Sequence, residues 1–197
     1  MRRRTFDALA VFAGLALAAV LLVAGVLLTW GHNFADNEVH TQLAAQKIYF
    51  PTVTNAEFKA LPKADAAAMR PFAGQLMVNG AQAQAYADHF IAFHLIGIGG
   101  GKTYSQLSGE AMAKPTDVAL ANQVQVIFRG TTLRSMLLEA YGFWQFGQIA
   151  WIAAIVSYVG AALMLILSVF GVVHLRRTPE TAEVLAKVSH HVQAQTA

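Results

Sequence analysis

The chain has 197 residues, 56% hydrophobic and only 13% charged, with a formal net charge of +3 and no cysteine. That charge content is about half the ~25% of ordinary soluble domains, and the missing thiols exclude a disulfide-stapled domain and thiolate chemistry. That net charge is modest, and no nucleic-acid partner is expected.

From the N-terminus, Arg2, Arg3 and Arg4 precede an uncharged apolar run from Ala8 to Trp30. A helix needs ~20 apolar residues to cross a bilayer, whereas a secretory signal has an apolar region of only ~7–15. An uncleaved membrane anchor over residues 8–30 is therefore expected. Ala10, Gly14 and Ala18 recur every fourth position, a spacing that lets helix backbones approach closely in lipid.

Residues 31–145 read as a helical domain outside the membrane. Val39, Leu43, Gln46 and Phe50 line one side of a helix beginning after Asn33, capped by Asp36 or Asn37 and stopped by Pro51, which removes a donor. Thr54 to Glu57 fits a capping box for a short helix reaching Leu61. One turn over Ala66–Met69 and an extended stretch over Gln75–Val78 follow. Ala81 to Ile98 predicts a helix whose Tyr86, Ala87, Phe90, Ile91, Phe93 and Leu95 make a wide apolar, buried surface. Gly99, Gly100 and Gly101 terminate it, a polar loop leads to Pro115, and Asp117–Phe128 resumes helical spacing.

The second uncharged run, Phe146 to Val173, extends back to Ala140, giving about 34 residues or roughly 50 Å of helix against a ~30 Å hydrocarbon core. Leu133, Met136, Leu137, Ala140, Tyr141 and Trp144 form one stripe of the protruding part. One helix from about Thr131 to Leu175 is predicted, broken from the preceding helix at Gly130, with a membrane span over 146–175. Ala153, Ser157 and Ala161 repeat the small-residue spacing. Trp30, Tyr141, Phe143, Trp144, Phe146 and Trp151 form an aromatic belt at headgroup level.

Arg176, Arg177 and Lys187 follow the second span. Counted with the N-terminal arginines, and against Arg129 and Arg134 on the other side, they orient both termini toward the cytoplasm. The expected localisation is a multi-pass protein of the cytoplasmic (inner) membrane, with residues 1–7 and 176–197 inside. Thr178 and Pro179 would cap a tail helix with Val184, Leu185, Val188 and Val192 along one edge.

Four groups of chemistry-bearing residues stand out. Gly97 to Thr103 ends like a phosphate-binding loop, but Ile96 occupies the position of its first glycine and a helix rather than a strand precedes it, so no nucleotide partner is expected. His32, Asp36 and His40 lie four apart on one helix face and are a candidate metal site. Positions eight apart on a straight helix are ~12 Å apart, however, so all three converge only with difficulty. His94, on the apolar face, is a second candidate for metal or haem; Asp88 and His89 should face solvent. Glu139 beside Arg134, and His174 beside Arg176 and Arg177, read as surface or headgroup residues. No strand-turn-helix elbow frames Ser105 or Ser108, which argues against a hydrolase.

The strings QLAAQKIYFP (42–51), AQAYADHFIAFHL (83–95), GGGKTYSQLS (99–108) and FRGTTLRSMLLEAYGFWQFGQIA (128–150) resemble a group of two-span membrane proteins of actinobacteria and other bacteria with GC-rich genomes. That resemblance implies topology; the group carries no assigned activity or catalytic residue. The expected fold is all-α, two transmembrane helices enclosing an extracytoplasmic helical bundle. The expected role is that of a structural, accessory or assembly subunit without catalysis or cofactor, forming a homo-oligomer or part of a larger membrane complex in the lipid bilayer. The alternatives are a membrane-bound metal or haem protein using the outer histidines, and a sensing subunit, since the stretch after Leu175 is too short for an output module.

Overall fold

The computed structural model describes residues 3–179. Its regular elements are all helical: α1 (Arg3–Gln46), α2 (Ala56–Ala60), α3 (Lys63–Met69), α4 (Gly80–Ala85), α5 (Ala92–Gly99), α6 (Tyr104–Ala113) and α7 (Val118–Arg177). A 3₁₀ turn, Arg70–Phe72, follows α3, and a π-helical turn, Tyr86–Ile91, joins α4 to α5. Among the described residues, β-type pairing is limited to the single bridge between Tyr49 and Leu76. α1 and α7 are both long and apolar enough to cross a membrane.

Several boundaries differ from the sequence expectation. No new helix starts after Asn33, because α1 runs without a break to Gln46 and the Asp36 side chain is engaged elsewhere rather than capping. α1 stops before Pro51: Lys47 adopts a left-handed φ of 54°, and the next residues turn into an extended segment. There Phe50 N–H donates to Gln75 O (2.9 Å) and Met77 N–H to Ile48 O (2.9 Å). The first turn of α2 is capped by Asn55, which accepts from Glu57 N–H at 2.8 Å, while Thr54 bonds Thr52.

The predicted polar loop before Pro115 contains α6. Thr103 accepts from Gln106 N–H, and the Gln106 side chain accepts in return from Thr103 N–H at 2.8 Å. This capping box satisfies two otherwise orphaned donors. Gly130 breaks nothing: it lies inside α7, where a Cβ would come within 2.5 Å of Leu95 Cδ2. Its lack of a side chain serves a close approach, and the two helices expected on either side of it are one. The expected tail helix, with Val184, Leu185, Val188 and Val192, lies outside the described residues. At the preceding boundary the Thr178 hydroxyl donates to His174 O (3.0 Å) at the end of α7.

The chain divides into two compact units, residues 3–29 with 151–179, and Trp30–Ala150. In the second, Val39, Leu43, Phe50, Phe58, Met69, Met77, Ala83, Ala87, Ile91 and Leu137 form a continuous buried core. Aromatic rings extend it: Phe50 meets Phe72 and Tyr86 at 5.4 and 5.3 Å, and Tyr86 meets Phe90 at 4.8 Å. A smaller cluster of Leu107, Val124 and Ile127 seats α6 on the first part of α7. Asn79 caps α4 by a reciprocal bond with Gln82, and Gly80 there lies against Trp144, whose Cβ would be 2.5 Å from an added methyl.

Two consequences can be measured on the detergent-solubilised protein. Gly80→Ala must displace a ring anchored in α7 and should lower stability by about 1–3 kcal/mol. Gly109→Ala, in α6 with nothing within 4 Å of the added methyl, should raise it by up to ~1 kcal/mol; thermal melts followed by circular dichroism report both. Burial, with the nearby Glu57 carboxylate adding to it, raises the Tyr86 phenol above its ordinary value of 10.0. Its contribution is therefore complete below pH ~10 and lost as the pH rises through the folded-state value. Tyr86→Phe should flatten that alkaline loss of stability in melts taken between pH 9 and 12.

Candidate functional site

In the first unit, α1 and α7 run antiparallel and touch along one seam. On α1 the half-buried or buried positions Val11, Gly14, Ala18, Leu21 and Gly25 alternate three and four apart; on α7, Ala154, Ser157, Ala161, Met164, Ser168 and Gly171 do the same. That alternation averages 3.5 residues, the repeat of left-handed helix pairs. Glycine opens the contact at three of its levels. A Cβ on Gly14 would lie 2.6 Å from Ser168 Oγ, one on Gly25 2.6 Å from Tyr158 Cε1, and one on Gly171 2.6 Å from Val11 Cγ2. The Thr29 hydroxyl reaches Tyr158 Oη at 3.2 Å.

Of the small residues singled out in the sequence, Gly14, Ala18, Ser157 and Ala161 lie on this seam. Ala10 is exposed at its edge, and Ala153 is half-buried and accepts the Ser157 hydroxyl at 2.8 Å. Everywhere else the two helices present uncovered apolar side chains, such as Phe12, Val20, Val156 and Phe170, each more than 60% exposed. Only 11% of the most apolar stretch of α1 and 17% of that of α7 is buried within the chain.

Asp7 and His174, the residues flanking the two uncharged runs, come together at one end of this seam. His174 Nε2 is 3.7 Å from Asp7 Oδ2, so His174 faces an acid as well as its neighbouring arginines. Sequence reading missed this pair because each residue sits just outside an apolar run and the two are far apart in the chain.

The second unit disperses the predicted metal ligands. His32 Nδ1 is 3.0 Å from Gly147 O, where Gly147 lets α7 approach Ala35 closely. Asp36 accepts from Trp144 Nε1 at 3.1 Å, and His40 is exposed. Among the described residues no three His, Asp or Glu side chains converge as a metal site would require. His94 is half-buried between Phe90 and Phe93, with Nδ1 2.7 Å from Phe90 O. Asp88 and His89 do not simply face solvent: Asp88 accepts from Arg134 at 2.6 Å, and His89 pairs with Asp65 at 2.8 Å. Arg134 thus turns away from Glu139, which is exposed. Lys102 is held by Glu110 at 2.7 and 2.8 Å.

The aromatic residues of the expected belt gather in part. Trp30 stacks on Phe34 at 5.7 Å, Phe34 meets Phe143 edge-on at 6.3 Å, and Tyr141 lies 6.4 Å from Trp144. Trp151, in the first unit, is 41% exposed. Beyond them, a cleft of about 460 Å³ opens between α5, the start of α6 and α7, lined by Leu95, Ile96, Thr103, Tyr104, Ile127 and Arg134 among others. Ile96 is 64% exposed, and Tyr104 packs on the exposed Phe128 ring at 5.5 Å. The signal for this cleft was present in the sequence as Thr103-Tyr104-Ser105-Gln106, a capping box that turns the chain back after the glycines.

No protein-family model matches this chain, and neither a curated protein nor a solved structure is similar to it. The seam is open to direct test because the chain has no cysteine of its own. A Cβ on Gly171 would stand 4.0 Å from Val11 Cβ, within the ~3.5–4.5 Å of a disulfide. Val11→Cys with Gly171→Cys should therefore form an intramolecular disulfide on mild oxidation, seen as a mobility shift on non-reducing gels, whereas Phe12→Cys with Gly171→Cys should not.

Proposed function

We propose that this chain is a two-span integral membrane protein, with both termini in the cytoplasm and residues 31–145 outside, that acts as a structural or assembly subunit. Its outer helical domain makes the contacts, either with further copies of itself or within a larger membrane complex. The observation that carries the reading is the cleft and its rim, where Ile96, Tyr104 and Phe128 are left exposed beside one another. Contiguous exposed apolar surface of this kind marks interaction sites.

Two further features support it. The uncovered apolar faces of α1 and α7 suit lipid, and the basic residues Arg3, Arg176 and Arg177 sit at the ends the positive-inside bias assigns to the cytoplasm. In the outer domain, Asp36, Asp65, Asp88, His89, Lys102 and Arg134 are each engaged in contacts between helices or loops, a use that holds a scaffold together.

Native mass spectrometry of the protein in mild detergent, with metal and haem analysis, tests this reading. A defined oligomer or co-purifying complex, dissociated by Ile96→Asp without loss of helicity, is expected. A monomer carrying stoichiometric metal or haem would overturn it in favour of a metalloprotein.

A further inference from the structure

In the second unit α1 and α7 border a groove of about 440 Å³, lined by Glu38, Gln42, Gln46, Met136, Glu139 and Phe143 among others. No lysine, arginine or histidine lines it, whereas a glutamate stands on each wall, Glu38 on α1 and Glu139 on α7. Arg134, the base nearest to Glu139 along α7, is turned to Asp88 instead. Glu38 accepts from the neutral Gln42 amide. Between the carboxylates the groove offers open apolar surface: Met136 is 62% and Phe143 42% exposed, and the Phe143 ring meets Phe34 edge-on.

The register of the two helices gives the groove its dimensions. His32 faces Gly147 and Asp36 faces Trp144, so in this antiparallel pair Glu139 comes level with about residue 41, some three residues beyond Glu38. At ~1.5 Å per residue the two glutamate positions are about 4–5 Å apart along the helix axes, close to one helical turn, and the row Glu38, Gln42, Gln46 runs about 12 Å. That is the span of two turns of a docking helix. Basic side chains three or four residues apart share one face of such a helix and can reach one glutamate each, while apolar residues beside them lie on Met136 and Phe143. A small organic cation fits less well, because ligand sites enclose most of their ligand and Gln42, Gln46, Met136, Glu139 and Phe143 leave this groove exposed along its length. A two-fold copy of the chain fits no better. An axis through the groove would set Glu38 and Glu139 against their own counterparts, like charge against like.

Resting on the assembly reading above, we propose that this groove docks a basic amphipathic helical segment of a different protein, with Lys or Arg three or four residues apart beside an apolar stripe. Charge complementarity selects it: the cations pair with Glu38 and Glu139, and the Phe143 ring offers a face to either. The groove shares no lining residue with the cleft beside Ile96, so the two contacts are separable by mutation.

The test places the full chain in nanodiscs of phosphatidylcholine, which add no net charge, and titrates them into a fluorescein-labelled 14-residue helical peptide of leucine, alanine and lysine, its lysines three and four apart beside a leucine stripe. Anisotropy should report binding at least tenfold tighter than to empty discs, and no such gain for the twin peptide with glutamate for every lysine. Glu38→Gln with Glu139→Gln should return the affinity to that of empty discs. Met136→Lys, at an exposed position, should weaken it at least tenfold, with far-UV circular dichroism unchanged in both variants. Glu57→Gln with Asp117→Asn, an equal loss of charge at exposed residues elsewhere in the second unit, should leave binding intact. So should Ile96→Asp, which separates a failure at the cleft from a failure here. A chain that does not enter the discs fails as a membrane protein, and the same titration without lipid then tests the groove alone. Equal binding to empty discs, binding that survives the double glutamine variant, equal loss in the charge-matched control, or displacement by equimolar spermidine would overturn the proposal.

Discussion

The close approach of α1 and α7 is the interaction on which the rest is built. A helix satisfies its backbone hydrogen bonds internally, so two long helices can lie together in either water or lipid without leaving polar groups unmet. What decides how near they come is side-chain size. In the first unit Gly14, Gly25 and Gly171 each remove the one carbon that would strike the neighbouring helix, and in the second Gly147 does the same against Ala35. Because these contacts recur every three or four residues on each helix, the antiparallel register is set by many small steric agreements rather than by one strong bond. Little of the apolar surface is consumed in the process, which leaves the outward faces of both helices free for lipid.

The charged residues follow a different rule in each unit. Between Trp30 and Ala150, acids and bases meet across elements: Asp65 with His89, Asp88 with Arg134, Lys102 with Glu110. Surface pairs of this kind add little stability each. They do hold α3, the π-helical turn and α7 in one arrangement. In the first unit Asp7 faces His174 at 3.7 Å, and its buried Oδ2 accepts no hydrogen bond among the described residues.

Periodicity made the long helices legible, because an apolar stripe or an uncharged run is written in consecutive residues. The stops were read less well. Gly130 looks like a break and is instead a packing glycine inside a 60-residue helix. Asn33 to Asn37 looks like a new start, yet the helix passes through, since no proline interrupts it and Asp36 is drawn to Trp144. In each case the residue's local preference was outweighed by a contact more than thirty positions away along the chain. The α6 capping box was missed for the opposite reason: the signal was local and complete, but hidden in a stretch whose polarity suggested a loop.

By itself the sequence determined that the chain is helical, that two of its helices are long and apolar enough to cross a membrane, and that arginines flank the outermost ends of those two apolar runs. These are properties of composition and spacing, carried by neighbouring residues. Only the tertiary structure decided which faces meet. It placed the seam at a repeat of three and four rather than at the four-residue stripes of small side chains. It separated His32, Asp36 and His40 by giving the first two other partners, and it brought Asp7 beside His174 from the far end of the chain. Such pairings depend on how two distant helices are aligned, and no local pattern encodes that alignment.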